Sequence, residues 1–196
     1  MGDKSGIASS LHVLGMVHQD QGNYPEAVKL YEQSLEMSKD LGDKSGIAIS
    51  LHQLGMIHQD QGNYPEAVKL YEQSLDIKKD LGDKSGIASS LHQLGNVHYL
   101  QGNYPEAVKL YEQSLEIKKV LGDKSGIASS LGQIGRIKEG NKDFEGALGN
   151  YLTALFIFED LQDPGREIAK KDIAMLRKTM GEESFQSVLA KFRGSQ

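Results

Sequence analysis

The chain has 196 residues, of which 25% are charged, and a formal net charge of −5. This balance offers no basic excess for binding nucleic acid or an anionic membrane. The absence of cysteine excludes a disulfide framework and thiolate metal sites. Because no run of about 18 apolar residues exists and no apolar stretch follows the N-terminus, we expect neither a transmembrane span nor a signal peptide. The default expectation is a cytoplasmic protein.

Internal repetition is the main signal in the sequence. The motif Asp-Lys-Ser-Gly-Ile-Ala begins at Asp3, Asp43, Asp83 and Asp123, a period of forty residues. Self-similarity at this spacing is typical of solenoid proteins, in which each unit packs on its neighbours. We therefore predict a domain over 1–162 that consists of four repeats, numbered one to four: 3–42, 43–82, 83–122 and 123–162.

The first half of each repeat has the pattern of an amphipathic helix. In repeat two, Gly42 is a helix-ending residue, and either Asp43 or Ser45 can cap the helix that follows. The apolar stripe of this first helix is predicted to be buried and consists of Ile47, Leu51, Leu54 and His58.

The second half of each repeat predicts another helix, antiparallel to the first. Gln61-Gly62-Asn63-Tyr64 interrupts the chain, and Pro65 suits the first position of the new helix because its missing N–H would have no partner there. The predicted buried side of this second helix is formed by Ala67, Leu70, Tyr71, Ser74, Leu75 and Ile77. The repeats therefore predict an all-α protein.

The last segment, 163–196, is not a fifth copy. Asp163-Pro164 is predicted to start a helix that Gly181 ends, and a short amphipathic segment follows from Glu182 to Phe192. We predict that these helices cap the exposed face of repeat four, as the terminal elements of repeat proteins do.

The N-terminal end has no such cap. Met1 stands where Leu41, Leu81 and Leu121 stand in later repeats, which favours a fragment of a longer array over a natural start. We expect concentration-dependent self-association or fraying through this end, because four apolar residues would lack a preceding helix pair to cover them: Ile7, Leu11, Leu14 and Val17.

The repeat resembles the tetratricopeptide repeat family over residues 3–162. The residues that carry the resemblance in repeat two are Leu51, Leu54-Gly55, His58, Ala67, Tyr71 and Ser74, and in repeat four they are Leu131, Ile134-Gly135, Ala147, Tyr151 and Ala154. The resemblance implies a right-handed superhelical solenoid of antiparallel helix pairs that binds proteins or peptides in a concave groove.

Three departures from the family pattern matter. The usual repeat has about 34 residues, and the forty-residue form resembles the long-helix subgroup of kinesin light chains, spindle-orientation adaptors and sensor arrays of prokaryotic signalling ATPases. Histidine replaces the usual aromatic residue in three repeats, and Lys138 replaces it in repeat four. Some members bind a C-terminal carboxylate through a lysine of the first helix, where this chain has His12, His52 and His92, which argues against that activity.

A second stripe on each first helix is the predicted ligand-binding surface. A helix turns by about 100° per residue, which places this stripe opposite the buried one. We define the groove face as the residues Ser9, His12, Met16, Gln19 and Asp20 in repeat one, Ile49, His52, Met56, Gln59 and Asp60 in repeat two, Ser89, His92, Asn96, Tyr99 and Leu100 in repeat three, and Arg136 and Glu139 in repeat four.

The groove face varies between repeats that are otherwise near copies. The alternative interpretation is neutral drift at solvated positions, but the equally polar Glu66, Lys69 and Glu72 are unchanged in the first three repeats. Repeat three is predicted to make the strongest ligand contact, because only there do Tyr99 and Leu100 replace glutamine and aspartate. Packing of these two residues on repeat four is the competing explanation.

The sequence predicts no metal site, cofactor or catalytic centre. His12 and His18 are six residues apart, which is not the spacing of a helical metal pair, and stacked helices lie about 8–10 Å apart. A pH-sensitive role for the row of His12, His52 and His92 is the alternative to a simple polar surface. Gly-Asp-Lys-Ser-Gly does not match a phosphate-binding loop, because the Gly-Lys-Ser/Thr order is absent and no strand precedes it.

These patterns predict a non-enzymatic scaffold that binds a protein or peptide of unknown identity. Two alternatives stay open: a regulatory fragment of a multidomain signalling ATPase, and an architectural array that self-associates end to end. The sequence upstream would separate the first two, and mass measured at several concentrations would separate the third.

Overall fold

The computed structural model describes residues 3–193, and within that range the chain forms ten α-helices and no strand. The helices are α1 (Lys4–Asp20), α2 (Tyr24–Leu41), α3 (Lys44–Asp60), α4 (Tyr64–Asp80), α5 (Lys84–Leu100), α6 (Tyr104–Leu121), α7 (Lys124–Gly140), α8 (Phe144–Asp160), α9 (Gly165–Met180) and α10 (Glu182–Arg193). The predicted pair of helices thus recurs every forty residues.

Local sequence signals set the start and end of the helices. Asp43 rather than Ser45 caps α3, because its Oδ1 accepts a hydrogen bond of 3.0 Å from the backbone N–H of Gly46. The same contact begins α1, α5 and α7. Gly42 follows α2 with a φ of 66°, in the left-handed region where a side chain would be strained. The second helix of repeat two begins at Tyr64, one residue before the proline.

The helices fall into two compact units, one ending at Ala107 and the other beginning at Val108. In the first unit, α2 packs against both α1 and α3, and α4 packs against both α3 and α5. The core between α2 and α3 includes the fully buried Tyr31 and Ile57, with Leu51 and Leu54 beside them. Buried serines tie the helices of a pair together: the Ser74 hydroxyl donates to the Ala48 carbonyl at 2.8 Å.

In the second unit, α8 packs against α7 and α9, and α10 contacts both α9 and α8. Phe185 of α10 is buried in a cluster with Leu148, Tyr151 and Leu176. Phe192 approaches α8 at Gly149, where a Cβ atom would lie only 3.1 Å from the phenyl ring. The prediction of two further helices after Asp163 is confirmed, and α10 packs directly on the last helix pair.

The all-α class and the helix pairs are confirmed, but the buried stripe differs in detail. Leu51 and Leu54 are buried as predicted, whereas Ile47 and His58 are only partly buried. Ile57 is fully buried although it was not in the predicted stripe. The position of Met1 lies outside the described residues.

Candidate peptide-binding groove

The predicted groove face lies on the accessible side of the first helices. None of its residues is buried, and the most exposed members include Met16, Ile49 and Leu100, with 43%, 44% and 50% of their surface accessible. The structure therefore places the predicted residues where a ligand could reach them. Several of them also make contacts within their own repeat.

Each of the four repeats has a fully buried tyrosine on its second helix: Tyr31, Tyr71, Tyr111 and Tyr151. The hydroxyl of Tyr31 donates to Oε1 of Gln19 at 2.9 Å, and the hydroxyl of Tyr71 donates to Oε1 of Gln59 at 3.2 Å. In repeat four, the equivalent acceptor for Tyr151 is Oε2 of Glu139, at 2.9 Å. These three groove-face residues therefore help to fix the second helix as well as to form the surface.

Small residues allow the tyrosines to approach the first helices. A Cβ atom at Gly55 would lie 2.9 Å from the ring of Tyr71, and one at Gly135 would lie 2.6 Å from the ring of Tyr151. This explains the glycine of the Leu-Gly landmark in physical terms. Burial, followed by the charge of Asp20, raises the pKa of Tyr31 to about 12, so its hydroxyl remains a hydrogen-bond donor at neutral pH.

The histidines of repeats one and two lie over these tyrosine rings. The ring centroids are 5.3 Å apart for His12 and Tyr31 and 5.2 Å apart for His52 and Tyr71. Burial, and secondarily the positive charge of Lys78, lower the pKa of His52 to about 4. Both imidazoles have a buried Nδ1 without a hydrogen-bond partner within the described structure. Burial lowers the pKa of both imidazoles, so they are neutral at neutral pH, and the Nδ1 atom of each is enclosed within the protein.

Two buried lysines beside the groove face were missed by the sequence analysis. The side chain of Lys78 is 6% exposed, and its Nζ donates to Oγ of Ser90 at 3.0 Å. Lys118 makes the same contact with Ser130 at 3.2 Å. Burial lowers the pKa of both lysines, and a nearby aspartate partly offsets this shift. A helical signal existed, because Lys78 follows Ser74 by four residues on the buried stripe.

Repeat three presents the aromatic pair of Tyr99 and Tyr104, whose ring centroids are 5.6 Å apart. Tyr99 is partly buried and Tyr104 is 42% exposed. Leu100 adds an exposed apolar side chain beside them. Asn96 donates to Oε1 of Gln93 at 2.5 Å, which orients its amide on the same helix.

Repeat four is more highly charged at the groove face. Nη2 of Arg136 lies 2.9 Å from Oδ2 of Asp172 on α9, and Nη1 donates to Oε1 of Gln133 at 3.2 Å. Within residues 3–193, no three His, Cys, Asp or Glu side chains come together as metal ligands would. No helix in the same range is long and apolar enough to cross a membrane.

Known proteins with similar folds share this arrangement of helix pairs. BtubC (BKLC) from P. vanneervenii superposes with a TM-score of 0.79 at 18% identity, over 97% of this chain and 83% of that one. A Podospora anserina protein with nearly identical TPR-like repeats, described as a kinesin light chain, gives a TM-score of 0.74 at 24% identity, with 99% and 96% covered. Aspartyl phosphate phosphatase F from Bacillus subtilis gives a TM-score of 0.80 at 15% identity, over 92% of this chain and 48% of that one. At these identities the likeness concerns the fold.

The recurring helix pairs, each with a buried tyrosine beneath an accessible first-helix face, define a helical-repeat protein. No curated protein matches the sequence significantly. The sequence does match the tetratricopeptide repeat family over residues 6–80 and 86–160, and a second profile of that family over 52–119. The chain belongs to the tetratricopeptide repeat family.

Proposed function

We propose that this protein is a non-enzymatic scaffold whose groove face holds an extended peptide or a helix of a partner protein. Tetratricopeptide repeats are typical of protein–protein interaction. In this proposal, residues 3–162 supply the four repeats, and 163–196 cap the array. The ligand would cross the first helices, which expose their most variable residues.

The observation that carries the proposal is where the near-identical repeats differ. Positions 16, 56 and 96 hold Met, Met and Asn, and positions 20, 60 and 100 hold Asp, Asp and Leu. In contrast, Glu72 and Gln73 on the second helix are exposed, yet they are the same in the first three repeats. Exposed positions of the second helix also vary, at 36, 76 and 116 and at 40, 80 and 120. However, four of the seven differences between repeats two and three lie on the groove face, and this concentration supports contact with a ligand there.

The experiment compares residues that the repeats themselves exchange. Tyr99→Gln and Leu100→Asp each introduce the residue that repeats one and two carry at that position, so folding should tolerate them. A peptide selected from a random display library on the unaltered chain serves as the probe, with affinity measured by fluorescence anisotropy. We expect each substitution to weaken binding at least about tenfold, because a buried aromatic or apolar contact is worth more than about 1.4 kcal/mol.

Glu72→Gln is the matched control, since it changes an exposed residue away from the groove face. Unchanged affinity in Tyr99→Gln and Leu100→Asp, with the same folded fraction, would contradict repeat three as the main contact. If Tyr99→Gln lowered the unfolding midpoint while the folded protein kept its affinity, Tyr99 would be a packing residue.

A specific observation also favours self-association as a second candidate. Ile7, Leu14 and Val17 are 46%, 50% and 45% exposed. The counterparts of Leu14 and Val17 in repeat two, in contrast, are 5% and 0% exposed: these are Leu54 and Ile57, which pack against α2. An apolar face of this kind on α1 is a surface to which a second copy can bind.

A further inference from the structure

Repeat four departs from the other repeats at two positions that meet on one side of the helix pair. Gly132 stands where the other repeats have His12, His52 and His92. Phe158 stands where repeats two and three have the buried Lys78 and Lys118. The first change removes an imidazole, and the second replaces a cation with a phenyl ring.

The equivalent position beside α1 has a cavity of 260 Å³ lined by His12, Ser34 and Ser38, so the changes in repeat four alter the lining of a cavity rather than create one. In repeat four the cavity lies between α7, α8 and α9. Its volume is 180 Å³, and its apolar lining includes Ala128, Ala154, Phe158 and Ala169, of which the most exposed is 7% accessible. Tyr151 also lines the cavity. A Cβ atom at Gly132 would meet nothing within 4 Å, so the space on this side of α7 is open. In repeats one and two, an imidazole packs against the equivalent tyrosine.

The charged groups at the rim are already paired. Arg136 and Asp172 form an ion pair of 2.9 Å, with 32% and 14% of their side chains accessible. Asp163 accepts hydrogen bonds from Ser125 and from the backbone N–H of Gly165, both at 2.7 Å. A charged ligand group entering the cavity would lose its hydration without gaining a free counter-ion.

We propose that this cavity receives the phenyl side chain of an internal residue in the bound peptide. A cavity of about 150 Å³ with apolar walls is large enough to bind benzene, so the volume here suits a single aromatic ring. The ion pair of Arg136 and Asp172 is neutral overall, but a guanidinium has five N–H donors and a carboxylate two acceptor oxygens. The pair can therefore still bind the C=O and N–H of a peptide unit, in preference to a terminal carboxylate. This inference rests on the proposed groove function, and it adds the class of side chain that repeat four selects.

The test uses N-acetyl-L-phenylalaninamide as the probe and the full chain with labelled alanine methyl groups. In NMR titrations, we expect the methyl signals of Ala128, Ala154 and Ala169 to shift with a dissociation constant on the order of 1 mM, as suits a ligand of this size. N-acetyl-L-lysinamide should leave these signals unchanged at the same concentrations, because its ammonium group would be desolvated.

Two substitutions at Gly132 separate filling of the cavity from loss of the glycine. Gly132→His introduces the residue of the other repeats, and we expect it to abolish the methyl shifts. Gly132→Ala adds only a methyl group and should retain them. Gly140→His, at the exposed end of α7 where a Cβ atom also meets nothing within 4 Å, is the matched control and should bind as the unaltered chain does.

Absence of methyl shifts in the unaltered chain would overturn the inference, as would equal shifts in Gly132→His. Its failure can be distinguished from failure of the groove function through the display-selected peptide. If Tyr99→Gln loses affinity for this peptide while Gly132→His keeps full affinity, the phenyl site is contradicted and the groove function stands. If Tyr99→Gln and Leu100→Asp keep their affinity for the peptide, the predicted contact at repeat three is contradicted. The NMR titration with N-acetyl-L-phenylalaninamide tests the cavity independently of that result.

Discussion

Two residues of repeat four have a left-handed backbone conformation at positions where the other repeats have glycine. Lys142 has a φ of 63° and Gln162 a φ of 54°, whereas the equivalent turns use glycines such as Gly102 and Gly122. For residues with a side chain, the left-handed region costs about 1 kcal/mol because Cβ approaches the carbonyl oxygen. The turns of the least regular repeat therefore carry strain that the others lack.

Replacing Lys142 with glycine should raise the free energy of unfolding by about 1 kcal/mol, because the strain is relieved at the end of α7. Chemical denaturation would measure this as a higher midpoint with an unchanged slope. The reciprocal control is Gly102→Lys, at a turn where a Cβ atom meets nothing within 4 Å. If Lys142→Gly leaves the free energy of unfolding unchanged while Gly102→Lys lowers it, contacts made by Lys142 compensate for the backbone strain.

His52 makes the stability of the protein depend on pH. In the folded chain the pKa of His52 is about 4, below the usual 6.5. As the pH falls from 6.5 to 4, the unfolded chain therefore binds a proton at His52 that the folded chain does not. Stability from this residue is complete above pH 6.5 and decreases as pH falls towards 4. The loss should be about 2 kcal/mol, since one pKa unit is worth about 1.4 kcal/mol and the ring is partly exposed.

The measurement is thermal unfolding across this pH range, with His52→Gln as the comparison. The variant should lose less stability than the parent chain, because its amide does not titrate. Parallel pH profiles of the two proteins would show that His52 does not carry the effect. The row of histidines was predicted from sequence, but the neutral state of His52 depends first on its own burial and second on the charge of Lys78, and neither burial was predicted.

At the scale of single elements, α10 is held on α8 mainly by aromatic packing. Phe185 is 4% exposed within the cluster that includes Leu148 and Leu176. Phe185→Ala should therefore lower the free energy of unfolding of the second unit by about 3 kcal/mol. Urea unfolding of that variant would be compared with Phe156→Ala, whose phenyl ring is 73% exposed and should matter by less than about 0.5 kcal/mol. Similar midpoints for the two variants would contradict this role for Phe185.

The helices were predictable from sequence because their signals are local. Asp43 caps a helix within three residues, and Gly42 ends one through its own backbone, so neither depends on distant contacts. The lining of the cavity in repeat four was not predictable, because Gly132 and Phe158 from different helices face the same space beside α9. Lys78 was assigned to no surface because a long side chain can either extend into solvent or be buried against Ser90, and the stripe alone favours burial only weakly.

At the scale of the whole molecule, the exposed face of α1 predicts association that depends on concentration. Sedimentation velocity should show a coefficient that rises with concentration for the parent chain, because Ile7, Leu14 and Val17 present contiguous apolar surface. Leu14→Glu should abolish the rise. Val120→Glu is the matched control, since Val120 is an apolar side chain of another helix, α6, with 75% exposure. If the sedimentation coefficient of the parent chain does not change with concentration, the exposed face of α1 does not bind a second copy.

The uniform junctions between helix pairs also have a genetic consequence. Gly42 and Asp43 precede α3 in the same geometry as Gly82 and Asp83 precede α5. Unequal crossing-over between the DNA segments for repeats two and three would therefore insert or delete forty residues without creating a foreign boundary. The encoded array could change length by whole units in a single event, while point changes at positions such as 56 and 96 change the groove face that each unit presents.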